Sequence, residues 1–402
     1  MKILKRKTLA ALLALSLLAS LLPVGAVPAQ AAAPSGQTIY VGDENVTSGG
    51  YWTTGNDGKV TASTAGDTPT NNYIHYDAEN NVLTLHNATI KEYVPSNTST
   101  YVMGAAIGVF NQNDASKLTI KLEGSNAIKN VSTGIFVLAF SDSTGDATLT
   151  ITGDGSLDAS GSLNGIMVQS NSGDATLTIQ SADVTLTSNP GNGVTVQAGS
   201  AGTQGHTATL TVNGGKLTAS GAAGIQFNAS NSSYDITTEL TVSGNALVDT
   251  RNGGIEVYGT GAVNTTADDD ATNGGIVFDG KDGTVYGSVE LQKDLEIKSG
   301  ETLTVPEGSS LNCNRKLTNN GTILASGGTV TGSLSGGSTV TTPSISVQPQ
   351  NKEVTAGETA TFTVEASDAQ TYQWQRKATY TESEWENISD ATTTSYTINS
   401  TT

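Results

Sequence analysis

The sequence predicts an all-β protein whose main part is a right-handed parallel β-helix. Three observations lead to this prediction. A unit of about 30 residues repeats, since GDATLTI occurs at 145–151 and again at 173–179. Within each unit apolar and polar residues alternate with a period of two, which is typical of strands. No segment after the first 31 residues has the i, i+3, i+4 apolar spacing of a long amphipathic helix.

Each repeat contains three short strands separated by Gly, Asn, Asp and Ser turns. The first strand carries a Leu-Thr-Ile or Leu-Thr-Val motif, the second centres on one large aliphatic residue, and the third opens with glycine. The first-strand motifs begin at Leu118, Leu149, Leu177, Leu210 and Leu240, after a weaker copy at Leu83. The third strands open at Gly134, Gly165, Gly193, Gly224 and Gly254.

Stacking of coils explains these units better than a propeller does. A unit of about 30 residues cannot bury its apolar side alone and must stack on its neighbours. Propeller blades use four antiparallel strands and about 40 or more residues, whereas a β-helix coil uses two or three strands with turns of uneven length. Proline is scarce, with nine in the chain, which agrees with strands that pair on both sides.

Residues 1–31 have the composition of a secretory signal peptide. Basic residues precede an apolar run, Thr8–Leu22, and the small residues at 29–31 (AQA) suit cleavage. We therefore expect a secreted protein or one on the extracellular cell surface. No later segment is long and apolar enough to span a bilayer, so membrane insertion is not expected.

Weakening of the repeat at both ends divides the chain into five parts. We expect the signal peptide at 1–31, an N-terminal cap at 32–76, the β-helix at 77–326, a Gly/Ser/Thr linker at 327–342 and a further β domain at 343–402. In the cap, Trp52 is expected to cover the open end of the core. Towards the end of the β-helix the spacing of the motifs tightens, which predicts shorter coils.

Charge and cysteine content narrow the classes of function. Loss of the signal peptide, with its four basic residues, changes the formal net charge from −18 to −22. Such a surface repels nucleic acid, which is therefore not expected as a partner. Cys313 is the only cysteine, so stability must come from burial and backbone hydrogen bonds rather than from an intramolecular disulfide.

The segment after the linker resembles bacterial immunoglobulin-like domains. The resemblance is carried by ISVQPQ (345–350), ATFTVEA (360–366) and YQWQ (372–375), and it implies a β-sandwich with Trp374 near its centre. The pair of cysteines that links the two sheets in this family is absent. About 60 residues are fewer than the roughly 100 of a full domain, so we expect a partial sandwich and a monomer within a longer multidomain chain.

Three stretches resemble secreted β-helix surface proteins of Gram-positive bacteria. They are TIYVGDENVTSGGYW (38–52), YDAENNVLTLHNATI (76–90) and LTVPEGSSLNCNRKLTNNGTI (303–323). That family is described as containing carbohydrate-binding domains and is related to calcium-dependent pectin-binding adhesins. The resemblance implies a pectin-lyase-like architecture, a polysaccharide partner such as an acidic plant or host glycan, and Ca²⁺ as a candidate cofactor.

Catalysis is not expected from this sequence. Hydrolysis of a glycosidic bond needs two suitably placed carboxyl groups, and the only acidic cluster, 268–270, lies in an apparent loop. A lyase needs a basic residue near calcium, but Arg251, Arg315 and Arg376 form no recognisable arrangement. A polysaccharide lyase or glycoside hydrolase is kept as a second alternative.

Five aspartates are candidate metal ligands: Asp146, Asp174, Asp268, Asp269 and Asp270. The first two share one repeat position, so in a β-helix they would lie about 4.8 Å apart and repel unless a cation lies between them. The other three crowd one another in a loop, and carboxylate oxygens suit calcium. The alternative is that these residues cap turns and are solvated.

Three residues are candidate ligand-binding residues. Tyr258 and Glu256 alternate towards the polar side of their strand, and Tyr234 lies in a turn. An exposed tyrosine offers both an apolar ring and a hydroxyl group to a sugar. We therefore predict a non-catalytic carbohydrate-binding or adhesion protein, with a purely structural stalk or spacer as the first alternative.

Overall fold

The computed structural model describes residues 32–64, 68–140, 145–199, 205–229, 236–259, 261–268, 273–337, 339–341, 344–367, 369, 371–377 and 385–399. The predicted signal peptide at 1–31 lies outside these ranges. Every regular element within them is a β-strand. The described residues contain no helix with the length and apolar character needed to cross a membrane.

The N-terminal residues form a small antiparallel cap. Its strands are β1 (Thr38–Val41), β2 (Glu44–Asn45), β3 (Gly50–Thr54), β4 (Val60–Ala62) and β5 (Tyr73–Asp77). Strand β3 pairs with both β4 and β5. Trp52 on β3 is buried among the apolar residues of the main core, so the cap covers this end of the core with a large side chain.

A parallel β-solenoid follows the cap, as the sequence predicts. Its strands are β6 (Val82–His86), β7 (Thr89–Ile90), β8 (Ala105–Asn111), β9 (Ser116–Glu123), β10 (Ser125–Ala139), β11 (Ala147–Gly153), β12 (Ser156–Ser170), β13 (Ala175–Gln180), β14 (Asp183–Ser188), β15 (Asn192–Gln197), β16 (Thr207–Asn213), β17 (Lys216–Ser220), β18 (Ile225–Ala229), β19 (Thr237–Ser243), β20 (Ala246–Thr250), β21 (Ile255–Gly259), β22 (Asn264–Ala267) and β23 (Gly275–Asp279). We call this part the main solenoid. Its right hand remains a prediction.

Each coil of the main solenoid has three sides. The first side is the parallel run of β6, β9, β11, β13, β16, β19 and β22, which β5 joins to the cap strands β3 and β4. The second side runs from β14 through β17 and β20 to β23, and the third through β15, β18 and β21. Strands β10 and β12 are long enough to bend through the second and third sides of their coils.

The repeated motif places its aliphatic residues in interior columns. Leu118, Leu149, Leu177, Leu210 and Leu240 are aligned partners on five neighbouring strands, and all five are buried. The intervening threonines face outwards, which gives the alternating burial of β11 and β13. Burying each leucine stabilises the fold by about 1.5–3 kcal/mol, so the columns hold the coils together.

A column of glycines at the start of the third side explains another repeated feature. A Cβ atom on Gly134 would lie 2.4 Å from the carbonyl oxygen of Gly165. The corresponding distance is 2.6 Å from Gly165 to Gly193 and 2.6 Å from Gly193 to Gly224. Because carbon and oxygen atoms that are not bonded cannot approach so closely, this corner excludes any side chain in successive coils.

The main solenoid ends in a hairpin that changes the direction of the strands. The next strands are β24 (Asp282–Tyr286), β25 (Ser288–Glu290), β26 (Leu295–Ile297), β27 (Thr302–Pro306), β28 (Ser310–Asn312), β29 (Leu317–Asn319), β30 (Thr322–Ser326), β31 (Thr329–Thr331), β32 (Ser335–Gly336) and β33 (Thr339–Thr341). Strand β24 is antiparallel to β23 and parallel to β27. The strands from β24 to β33 form a second, narrower solenoid, which agrees with the tighter motif spacing.

The hairpin also exchanges the two faces of the sheet. Val277 on β23 points into the core of the main solenoid, whereas Ile276 and Phe278 belong to a separate core in the second solenoid. At the hairpin two things reverse together: the direction of the strands and the face of the sheet that points into the core. The coils continue to stack in the same direction. Both solenoids therefore wind with the same hand. The second solenoid therefore lies against the outer face of the main one.

Residues 327–342, predicted as a linker, contain β31, β32 and β33, which pair in parallel with β28, β29 and β30. The remaining strands are β34 (Ser344–Val347), β35 (Ala360–Thr363), β36 (Glu365–Ser367), β37 (Gln375–Arg376), β38 (Glu386–Asn387) and β39 (Ser395–Ile398). They form three two-stranded antiparallel pairs. The ring of Trp374 lies 6.1 Å from that of Tyr396, and the immunoglobulin-like assignment stays a prediction.

Candidate functional site

Two of the predicted ligand-binding residues share an exposed face. Tyr258 and Glu256 lie on the outer side of β21, and Tyr258 is 61% exposed. Tyr258 is aligned with Asn228 on β18, and Asn228 is aligned with Gln197 on β15. This face therefore offers amide groups followed by one aromatic ring. Tyr234 lies outside the described residues.

Asp146 and Asp174 link the coils through hydrogen bonds to the backbone. Oδ1 of Asp146 accepts a hydrogen bond from the amide of Asp174 at 2.9 Å, and Oδ1 of Asp174 accepts one from Thr207 at 2.9 Å. Nδ1 of His206 lies 3.5 Å from Oδ1 of Asp174. Each carboxylate thus extends the hydrogen-bond ladder between coils, and cation binding by these two aspartates stays a prediction.

The second group of predicted metal ligands is only partly described. Asp268 follows β22, and its backbone amide donates a hydrogen bond to the carbonyl oxygen of Val242 at 3.1 Å. Asp269 and Asp270 lie outside the described residues. Within the described ranges no three His, Cys, Asp or Glu side chains are close enough together to hold a metal ion.

A polar groove lies where the second solenoid packs against the main one, and we call it the junction groove. Its volume is about 590 Å³. The floor is the outer face of β14 and β17, where Thr185 lies beside Thr218 and Thr187 beside Ser220. The opposite wall is the segment 294–301 of the second solenoid. The groove thus presents rows of hydroxyl groups to a chain-like ligand.

Arg251 connects the two solenoids at the bottom of this groove. It donates two hydrogen bonds of 3.0 Å to Asp249 and one of 3.0 Å to Glu301, and its guanidinium group lies 4.4 Å from the ring of Phe278. Burial alone would lower the pKa of Arg251, but the hydrogen bonds and charges of Asp249 and Glu301 outweigh it and raise the pKa above its ordinary value. This network fixes the groove wall.

Three lysines line the junction groove, and one of them, Lys216, has an acidic partner. Nζ of Lys216 lies 4.0 Å from Oδ2 of Asp249. Lys281 and Lys298 are exposed, and in the described part of the chain no carboxylate lies within ion-pair distance of either ammonium group. Asp249 and Glu301 are engaged by Arg251. Asp294 and Glu296 also line the groove, so its four basic and four acidic residues balance in number, whereas the chain as a whole is acidic.

Sequence reasoning missed the junction groove. In the sequence Arg251 belongs to no recognisable arrangement. Asp249 lies two residues away, but Glu301 is 50 residues away and reaches Arg251 only through the packing of the two solenoids. The same is true of Lys293, whose ammonium group contacts the carboxylate of Asp183. One sequence signal was the change from long to short motif spacing, which marks where the second solenoid begins.

A cluster of rings and charges covers the outer face of the cap. Tyr51 stacks on His75 with ring centres 4.1 Å apart, and Tyr73 stacks on His86 at 4.8 Å. Glu123 lies 3.2 Å from Nδ1 of His86 and 2.7 Å from Nζ of Lys121. The pKa of Glu123 is held below its ordinary value, mainly by the hydrogen bond from Lys121. Partial burial opposes this shift, and His86 adds to it.

Acidification should remove the contribution of Glu123 to stability. Because the pKa of this carboxyl group is lowered by folding, its stabilisation is present above the ordinary carboxyl pKa and is lost as the pH falls through the folded value. A Glu123→Gln variant should therefore be less stable than the parent near neutral pH, by about 0.5–1 kcal/mol, and equally stable in acid. Urea unfolding between about pH 7 and pH 3 measures this, and a difference independent of pH would contradict it.

No family model, curated protein or solved structure matches this chain. Its function must therefore be inferred from its own residues and geometry.

Proposed function

We propose that the protein is a non-catalytic carbohydrate-binding protein of the cell exterior and that the junction groove holds the glycan. The observation that carries this proposal is a groove of about 590 Å³ with a floor of hydroxyl groups and three lysines, Lys216, Lys281 and Lys298, in its lining. Its volume lies in the range of about 300–1,000 Å³ that is usual for ligand sites, and such sites occur preferentially between packed units.

The proposed ligand is an acidic polysaccharide, because the junction groove, lined by four basic and four acidic residues, is less acidic than the chain as a whole. Away from the groove, an acidic chain repels carboxylated sugars at long range. Inside it, Lys216, Lys281 and Lys298 can pair with uronate carboxylates, and Thr185 and Thr218 can bind sugar hydroxyls. Asp249 and Glu301 are held by Arg251, so in this proposal they support the wall and do not transfer protons.

The test compares two pairs of lysine substitutions that change the net charge equally. In the mature chain, Lys281→Ala with Lys298→Ala should weaken binding to polygalacturonate at least tenfold, or about 1.4 kcal/mol. The control pair is Lys59→Ala with Lys352→Ala, on exposed residues away from the groove. Calorimetry measures both, with a neutral galactan as a second ligand. Equal losses in the two variants, or no binding to any polysaccharide, would reject the groove, and the latter result would favour a structural stalk.

Calcium is a separate part of the proposal. If Asp146, Asp174 and the acidic loop at 268–270 bind Ca²⁺, millimolar calcium should raise the melting temperature of the mature chain, because a ligand that binds the folded state stabilises it. An Asp146→Asn, Asp174→Asn variant should show a smaller rise than the parent. An unchanged melting temperature would reject the metal, and the polygalacturonate titration with and without calcium shows whether binding depends on it.

A further inference from the structure

The core of the main solenoid is open at its C-terminal end. In the last coil the inward side chains Ile255 and Val257 are only partly buried, whereas their partners one coil earlier, Ile225 and Phe227, are completely buried. The exchange of faces at the hairpin is the cause. Strand β24 continues the sheet, but its apolar residue Val285 points into the second core, so within the described residues no further coil covers the end of the first core.

This opening is a pocket of about 380 Å³, which we call the end pocket. Its apolar lining includes Ile255, Val257, Val263 and Val277. Val277 belongs to the main core, and Ile255, Val257 and Val263 pack against it. The apolar surface of the pocket is therefore the exposed end of a packed core, with a volume in the range of about 300–1,000 Å³ found for small-molecule sites.

Polar groups surround the mouth of the end pocket. Residues paired directly across an antiparallel ladder face the same side of the sheet, so Thr284, which pairs with Val277, and Tyr286, which pairs with Gly275, both face the main core. The same register places Asp282 beside Asp279. The core-facing position that holds Val248 and Val277 on β20 and β23 therefore holds the polar Thr284 on β24, at the mouth of the pocket.

The two carboxylates at the mouth differ in their surroundings. Oδ1 of Asp279 accepts a hydrogen bond of 2.7 Å from the amide of Ile255, which holds this side chain at the edge of the pocket. Asp282 is exposed and makes no side-chain hydrogen bond or ion pair within the described part of the chain. A ligand in the pocket would thus meet negative charge at one end and aliphatic side chains at the other.

We propose that the end pocket binds a small molecule with an apolar body and a protonated amine at one end. The aliphatic lining removes the body from water, and the carboxylates of Asp279 and Asp282 attract the ammonium group and disfavour an anion. The end pocket and the junction groove have different lining residues, so this site does not depend on the proposed glycan binding.

Three probes with the same apolar tail test the proposal. Hexylamine, hexanol and hexanoate are titrated separately into the full mature chain, and binding is followed by NMR chemical shifts. The amine should bind tightest and the carboxylate weakest, with dissociation constants at least about tenfold apart. Asp282→Asn should reduce the preference for the amine and leave hexanol binding unchanged. Asp154→Asn, on an exposed turn several coils away, is the control for net charge and should change nothing.

A second variant tests the position of the site. Val257→Trp fills the pocket from a half-exposed position and should abolish binding of hexylamine and hexanol while the circular dichroism spectrum stays that of the parent. If this variant does not fold, Val263→Phe makes the same test from the other side of the pocket. Equal affinity for the three probes, or hexylamine binding that survives the filling of the pocket, would overturn the proposal.

Discussion

Replacing Arg251 by alanine should lower the free energy of unfolding by about 3–5 kcal/mol, the usual cost of removing one partner from a buried ion pair. The side chains of Arg251, Asp249 and Glu301 are only 14%, 13% and 10% exposed. Without the guanidinium group, two carboxylates would remain in a poorly solvated place, with the ammonium group of Lys216, 4.0 Å from Asp249, as the remaining counter-charge. The ring of Phe278 would also lose its cation contact.

Matched variants separate the loss of the pair from the loss of a charge. Arg315→Ala removes the same side chain from an exposed position and should change stability by less than about 0.5 kcal/mol. Arg251→Ala combined with Asp249→Asn and Glu301→Gln should be more stable than Arg251→Ala alone, because the uncompensated charges are gone. Urea unfolding of the four proteins measures this. Equal costs for Arg251→Ala and Arg315→Ala would contradict the buried network.

The Arg251→Ala substitution should also weaken glycan binding. Arg251 donates a further hydrogen bond to the carbonyl oxygen of Glu296, on the wall segment of the junction groove. Its removal frees this wall from the floor formed by β14 and β17, so the lysines and hydroxyl groups lose their fixed separation. Arg251→Lys retains the charge but not the planar fork of donors, and should fall between the parent and the alanine variant in both measurements.

The main solenoid could be predicted because local and global signals agree in it. Two-residue alternation makes each strand bury one side, and the 28-residue interval between the two GDATLTI copies aligns Leu149 with Leu177 on adjacent strands. Repetition of the same turn and strand pattern leaves stacking as the way to bury the aliphatic residues. Fold class therefore follows from patterns that any single repeat contains.

The junction could not be predicted in the same way, because it depends on faces that alternation does not specify. In GIVFDGKDGTVYG (275–287), three consecutive apolar residues break the alternation. The structure shows that Ile276 and Phe278 serve one core and Val277 the other. That short apolar run was the one local sign of a strand buried on both sides. The groove itself needs contacts between residues 45 or more positions apart, and no spacing in the sequence encodes them.

For Asp146 and Asp174 the sequence left two alternatives, a cation site and a capping carboxylate. The geometry separates these alternatives in part. Residue type and repeat position are the same for a cation site and for a capping carboxylate. The hydrogen bonds from Asp174 and Thr207 identify one oxygen of each aspartate as a cap. The sequence could not reveal this, because the donor belongs to the next coil and not to the same turn.

The interior leucine column gives the second large effect. Leu177→Ala should lower the free energy of unfolding by about 2–5 kcal/mol, because it leaves a cavity between Leu149 and Leu210 in a packed core. Thr178→Ala, one residue further on the outer face of the same strand, should cost less than about 0.5 kcal/mol. Urea unfolding compares the two variants, and similar costs would contradict the assignment of inner and outer faces.

The location of the damage can be tested as well as its size. Along each solenoid a coil stacks only on its neighbours, and the two solenoids have separate cores. In Leu177→Ala, hydrogen exchange should therefore accelerate most for the amides of β11, β13 and β16, and least for those of β27 and β30. Equal acceleration in all five strands would show that the two solenoids unfold as one unit, coupled through Arg251. In that case, adding Arg251→Ala to Leu177→Ala should restore the protection of the amides of the second solenoid.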